Sequence, residues 1–203
     1  MTGGFATVAG GVMAIYVGML SNIPGIAGHL MAASIMSAPA ALVIAKIIYP
    51  ETENIKETKI KIQQNKSDEN ILEVMGKGAT DGLKLAANIA AMLVAFVAFI
   101  TLINYLLGLI PIELVENEKL SIQLILGYLF MPLAWTMGAP WSEAQTLGSL
   151  MGQKLVLTEL VAYFNLSEMG PSEISERTAI LASYALCGFA NFASIGIQRG
   201  GIG

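Results

Sequence analysis

Charge is what this sequence has least of. Asp, Glu, Lys and Arg together make up 13% of its 203 residues, against about 25% in a water-soluble domain. So few charges cannot cover a soluble surface of this length. With 55% hydrophobic residues and a mean hydropathy of +0.65, lipid is the natural solvent. The net charge of −4 argues against a nucleic-acid partner, because phosphate binding needs clustered Lys and Arg. A single cysteine, Cys187, excludes an internal disulfide. Together with a single histidine, His29, it also excludes a metal cage built from several His and Cys ligands. There is no nucleophile–base–acid set, no glycine-rich phosphate loop leading into a helix with a lysine, and no zinc spacing. An enzyme, and with it an organic cofactor, has no support. The opening apolar run lacks the positive flank and the small-residue cleavage site of a signal peptide.

What is present is a series of long apolar segments. No Asp, Glu, Lys or Arg occurs from Met1 to Ala45, which leaves room for two spans of about 20 residues each. The turn signal Ser21-Asn22-Ile23-Pro24-Gly25 divides them. The spans are expected over residues 3–20 and 29–49, with Pro39 kinking the second. Residues 50–70 are densely charged, and 71–83 mix apolar side chains with Glu73, Lys77 and Asp81. Residues 50–84 therefore read as an aqueous loop followed by a weak interfacial helix. A third span follows over 85–110, with Asn88 and Asn104 as candidates for contacts between helices. The loop between the second and third spans holds Lys46, Lys56, Lys59, Lys61, Lys66, Lys77 and Lys84; the loop over 111–119 holds Lys119 alone. That asymmetry puts the first loop in the cytoplasm. A last span is expected over 178–197. His29 is expected to cap a span at the interface.

Residues 120–164 read differently. Leu120 to Met137 is apolar, Gly138-Ala139-Pro140-Trp141 is a turn, and Ser142-Glu143-Ala144-Gln145 has the spacing of a capping box. The following helix, to about Phe164, carries Lys154 and Glu159 and is too polar for lipid on every face. A re-entrant helical hairpin fits this pattern; two ordinary spans are the competing reading. The fold class is therefore all-α, a polytopic membrane protein with broken helices and a re-entrant hairpin.

Few side chains here could carry chemistry. A carboxylate in a membrane segment costs about 2.5–3.5 kcal/mol on insertion scales, so Glu159 should face a cavity or a partner such as Lys154. Asn191 and Ser194 stand three apart and share a helical face. Both donate and accept hydrogen bonds, which suits a polyhydroxylated solute, although such residues also tie membrane helices together. Gly188, Gly196, Asn191 and Ser194 within one span suggest local unwinding, a recurring way to build a solute site. Phe189 could stack on a ring or merely pack. Thr7 lies among Gly3, Gly4, Gly10 and Gly11; its hydroxyl could ligate a hard cation, while the glycines suit close helix packing.

Several runs also resemble one family. Met1-Thr2-Gly3-Gly4-Phe5-Ala6-Thr7-Val8-Ala9-Gly10-Gly11-Val12 is similar to the fourth transmembrane helix of concentrative nucleoside transporters. Ser34 to Leu42 with Ala45-Lys46 is similar to their fifth. Pro140-Trp141-Ser142-Glu143-Ala144 and Glu159-Leu160-Val161-Ala162-Tyr163 resemble their second re-entrant hairpin. Ala185-Leu186-Cys187-Gly188-Phe189-Ala190-Asn191-Phe192 with Ser194-Ile195 resembles their seventh helix. The resemblance implies a multi-pass protein of the plasma membrane or bacterial inner membrane, a homotrimer that imports nucleosides on a sodium or proton gradient. It implies that Glu159, Asn191 and Ser194 engage the ribose, that Phe189 lines the site and that Val12 borders the nucleobase. It implies that the Thr7 hydroxyl and the Val8 carbonyl ligate a coupling sodium ion. The sequence departs from the family at Thr158-Glu159-Leu160, where Asn-Glu-Phe is usual. The family's first hairpin, with its Gly-Gln-Thr-Glu motif and most sodium ligands, finds no counterpart here, nor does its eighth helix. The chain is thus expected to be a fragment inactive on its own, and a channel subunit or an inactive structural half-module remain alternatives.

Overall fold

The computed structural model describes residues 2–50, 70–110, 113–115, 118–192 and 194. The expected cytoplasmic loop and the end of the last span lie almost wholly outside them. Eight α-helices account for most of the described residues: α1 (Thr2–Ala6), α2 (Gly10–Met19), α3 (Ile26–Ile48), α4 (Ile71–Leu107), α5 (Ile122–Thr136), α6 (Trp141–Val156), α7 (Glu159–Glu168) and α8 (Glu176–Leu186). A two-stranded antiparallel ladder, β1 (Glu113–Val115) with β2 (Glu118–Lys119), lies between α4 and α5.

Among the described residues, two helices are long and apolar enough to cross a membrane, α3 and α4. At 1.5 Å per residue, the 23 residues of α3 reach roughly 35 Å and the 37 of α4 roughly 55 Å. The chain covers little of either: Ile35, Ile47, Val94 and Leu102 stand exposed, as expected of surfaces solvated by lipid. The buried core lies elsewhere. Tyr16 and Leu20 of the α2 end, Leu30 of α3, Leu147 and Leu150 of α6, Tyr163 and Leu166 of α7 and Leu186 of α8 pack into one cluster.

Local sequence explains most helix ends. Gly25 takes a left-handed φ of 69° ahead of α3, a conformation that costs glycine little. Ser121, Thr158 and Ser175 each accept a hydrogen bond from a backbone N–H in the first turn of α5, α7 and α8 and so satisfy one of the orphan donors there. Helices α5 and α6 lie close because their facing surface is glycine. A Cβ built on Gly148 would collide with the carbonyl oxygen of Gly127, and one on Gly152 would come within 3.0 Å of Leu126.

The structure departs from the sequence expectation in several places. The first span is broken at Thr7–Ala9 into α1 and α2. Residues 71–84 are no separate interfacial helix but run unbroken into the third span, with no proline in between. Helix α6 starts at Trp141, with Pro140 in the N-cap position and no side-chain cap bond, so Ser142 caps nothing. The arm expected to reach Phe164 stops at Val156, bends at Leu157–Thr158 and resumes as α7. Asn88 is exposed, and His29 caps no helix: its Nδ1 lies 3.2 Å from the Tyr184 hydroxyl on α8.

Candidate functional site

Three helix breaks meet at one place. The first separates α1 from α2. The Val8 N–H, freed by the break, donates to Ser34 Oγ of α3 at 3.2 Å, and the Thr7 hydroxyl donates to the Gly4 carbonyl at 3.1 Å. The second follows α8, where the helix stops at Leu186 and the chain turns at Gly188 with φ 103°. This is where the sequence pattern suggests unwinding. A Cβ at Gly188 would lie 3.1 Å from the Ala6 carbonyl oxygen, so the first two breaks abut and only glycine fits both the space and the φ. The third is the bend at Leu157–Thr158, which makes Glu159 the first residue of α7. A helix N-terminus presents unpaired N–H groups and a partial positive charge, a favourable setting for a carboxylate.

Glu159 is 8% exposed and held from two sides. The Tyr16 hydroxyl of α2 donates to Oε1 at 3.2 Å, and Asn191 Nδ2 donates to Oε2 at 3.1 Å. Tyr16 is itself fixed against the Tyr163 ring, with centroids 4.4 Å apart, and the Tyr163 hydroxyl donates to the Ser183 carbonyl at 2.8 Å. Asn191 is locked by Ser194, whose N–H donates to Asn191 Oδ1 at 2.7 Å and whose hydroxyl donates to the Asn191 carbonyl at 2.6 Å. Asn191 and Ser194 are each 4% exposed.

A cavity of about 220 Å³ opens beside this network, lined by Thr7, Val8, Val12, Glu159, Gly188 and Phe189, with Gly4 and Ala9. It is smaller than the roughly 300–1,000 Å³ of pockets for drug-sized ligands, a size that suits one end of a small polar solute. The structure thus brings together Glu159, Phe189, Val12, Thr7 and Val8 at the cavity wall; Asn191 and Ser194 do not line it, Asn191 bonding to Glu159 and Ser194 to Asn191. Chemically the site offers a buried acceptor with its donors fixed around it and one aromatic face.

Sequence reasoning missed two contributors, Tyr16 and Ser34. Tyr16 had a legible signal, since a buried tyrosine hydroxyl usually needs a partner. Ser34 had none beyond being polar in an apolar span. Lys154, weighed as an ionic partner of Glu159, does interact with its charge, but its hydrogen bonds go to the Ala185 and Cys187 carbonyls at 3.1 and 3.3 Å. The turn at Gly138–Trp141 does not reach the site. It lies at the other end of α6, where Glu143 Oε2 accepts from the Ser175 hydroxyl at 2.8 Å.

Broken helices that meet around a cavity with a buried carboxylate in its wall are a recurring design of membrane transport sites. Residues 29–203 match the family model described as Na+ dependent nucleoside transporter C-terminus. The chain belongs to this family, one of multi-pass membrane transporters and not of enzymes. It is 45% identical to the uncharacterized transporter YutK of Bacillus subtilis (strain 168), over all of this chain and 49% of that protein. It is 41% identical to sodium/nucleoside cotransporter 1 of Mus musculus, over all of this chain and 33% of that protein. Among solved structures, that of CNTnw in an inward-facing substrate-bound state aligns with a TM-score of 0.74 at 41% identity, over 99% of this chain and 47% of that one. The chain spans half or less of the length of these relatives.

Proposed function

We propose that this chain forms the sugar-facing wall of a secondary active transporter that imports nucleosides on a sodium or proton gradient. The observation that carries the reading is the doubly held Glu159 carboxylate beside a cavity that also exposes Phe189 and Val12. In this reading Glu159, Asn191 and Ser194 bind the ribose hydroxyls, Phe189 lines the sugar site and Val12 borders the nucleobase. Charge-assisted hydrogen bonds are roughly twice as strong as neutral ones, so Glu159 dominates. The Thr7 hydroxyl and the Val8 carbonyl contribute oxygen ligands to a coupling sodium ion, a partial site to which other segments add. The working unit is a homotrimer with one path per protomer. Support comes from the family membership and from relatives named as sodium/nucleoside cotransporters.

In this reading the re-entrant element lies within the hairpin expected over 120–164 but turns between α6 and α7, and not at Gly138–Trp141. The two helices run antiparallel about the Leu157–Thr158 bend, where the Asn165 amide donates to Gln153 Oε1, and the bend carries Glu159 to mid-membrane.

The test is uptake of labelled uridine by the reconstituted protein under an imposed sodium gradient, and separately under a proton gradient. Saturable uptake that follows one gradient is expected. Non-saturating flux would mark a channel, and no flux in any assembly containing the chain would leave only a structural module.

A further inference from the structure

Lys154 is a half-buried cation, and the proposed transport chemistry does not use it. It sits in the last turn of α6, five residues before Glu159. Its Nζ is not hydrogen-bonded to the Glu159 carboxylate among the described residues, although the two charges attract. It donates to two backbone carbonyls of a different element, Ala185 at 3.1 Å and Cys187 at 3.3 Å. Those carbonyls are the end of α8 at its break. The last carbonyls of a helix have no partner within it and carry the negative end of its dipole. In a membrane interior water cannot satisfy them, and each costs several kcal/mol when left bare. An ammonium group with three donors can serve both carbonyls at once and adds a positive charge that a neutral side chain lacks.

The position of the two carbonyls gives this contact its consequence. Gly188, Phe189 and Asn191 follow directly, and Asn191 donates to Glu159, which follows Lys154 on its own segment. One side chain therefore joins the end of α6 to the end of α8 immediately before each supplies its half of the site. The Ala190 N–H to Gly188 carbonyl bond and the φ of 103° at Gly188 describe a tight turn that begins at the Lys154-bound carbonyl of Cys187.

We propose that Lys154 is a positioning residue: it clamps the open end of α8 to α6 so that Phe189 and Asn191 face Glu159. The clamp stands on geometry alone; its effect on uridine rests on the nucleoside reading.

Two measurements on the reconstituted protein test it. The first is hydrogen exchange of the amides of Cys187 and Gly188. Lys154→Met keeps the length and removes charge and donors, and should speed exchange there at least tenfold. Lys154→Arg keeps donors and charge and should stay within threefold of the parent. If Lys154→Met fails to reach the membrane, Lys154→Gln takes its place; it keeps two amide N–H donors on a shorter, uncharged side chain and should show an intermediate rate. The second is the uridine KM, which Lys154→Met should raise about tenfold with maximal uptake little changed, and which Lys154→Arg should restore. Unchanged exchange in the Met or Gln variant overturns the clamp. Faster exchange with an unchanged KM, in a protein whose uptake Glu159→Gln abolishes, overturns the positioning role. If Glu159→Gln also leaves uridine uptake intact, the nucleoside reading fails, and the clamp is decided by exchange alone.

Discussion

Asn191 and Glu159 stand 32 residues apart in the chain, yet the Asn191 amide donates to the Glu159 carboxylate at 3.1 Å. The contact ties the break after α8 to the bend before α7. The Tyr16 hydroxyl holds the other carboxylate oxygen, so a buried negative charge is oriented by donors from two other segments. A carboxylate has about four acceptor sites, which leaves capacity for the hydroxyls of a bound solute.

Tyr16→Phe removes one of those donors and keeps the ring contact with Tyr163. Leaving a buried acceptor without its partner costs about 1–3 kcal/mol, so uridine affinity should fall roughly 5–150-fold. Competition against labelled uridine measures it. Affinity that is unchanged or tighter would mean that Tyr16 competes with the solute for Glu159 and does not orient it.

Gly148→Ala should be the most damaging alanine substitution between α5 and α6. Its Cβ would strike the Gly127 carbonyl, a backbone atom that cannot turn aside, whereas a Cβ on Gly127 meets Ser149 atoms at 3.2–3.3 Å. Overpacking of this kind costs typically about 1–3 kcal/mol. Thermal unfolding in detergent should show Gly148→Ala clearly below the parent and Gly127→Ala between them. Equal melting temperatures for all three would contradict the close packing.

The side of the membrane reached by each end of α6 and α7 is open to labelling. The Ser21–Gly25 turn and the 169–176 segment share one cavity, so both lie at one end of the fold. Helix α3 leaves that end at Ile26 and finishes at Ile48, ahead of the lysine-rich loop proposed to be cytoplasmic. In intact cells an impermeant thiol reagent added outside should therefore modify Ser142→Cys and Glu168→Cys, both exposed, and spare Lys59→Cys. Labelling of Lys59→Cys from outside, or opposite behaviour at Ser142→Cys and Glu168→Cys, would refute this topology.

The polar heart of the site was legible in the sequence because its residues are out of place in lipid. Glu159, Asn191 and Ser194 interrupt apolar stretches, and Gly188 marked the unwinding that ends α8. The breaks at Thr7–Ala9 and Leu157–Thr158 were not legible. The first is flanked by glycines that read equally well as close packing, and the bond from the Val8 N–H to Ser34 that stabilises it is a contact across 26 residues. The second hides in the run Leu155-Val156-Leu157, whose apolar pattern continues smoothly; only Thr158 ahead of Glu159 hinted at a new cap. Conversely, Ser142 had the spacing of a capping box, but Pro140, whose fixed φ suits a helix start, took the N-cap position and set the first turn two residues earlier. The glycines at 76, 78 and 82 do not break α4, since a glycine costs a helix only about 1 kcal/mol.

The central claim is that Glu159 and Asn191 act together on the ribose. A double-mutant cycle across protein and solute isolates that interaction. The measurement is competition of uridine and of its 2′,3′-dideoxy analogue against labelled uridine, in the parent, Asn191→Ala and Glu159→Gln proteins. Glu159→Gln keeps the shape and removes the charge, and should weaken uridine severely. Asn191→Ala should weaken it roughly 5–150-fold, the range of about 1–3 kcal/mol for an unpaired buried group. Ser194→Ala should do less. The dideoxy analogue should bind the parent poorly but lose little more in Asn191→Ala. Normal uridine transport by Glu159→Gln, or a dideoxy penalty as large in Asn191→Ala as in the parent, would contradict the account and reduce these residues to groups that hold helices together.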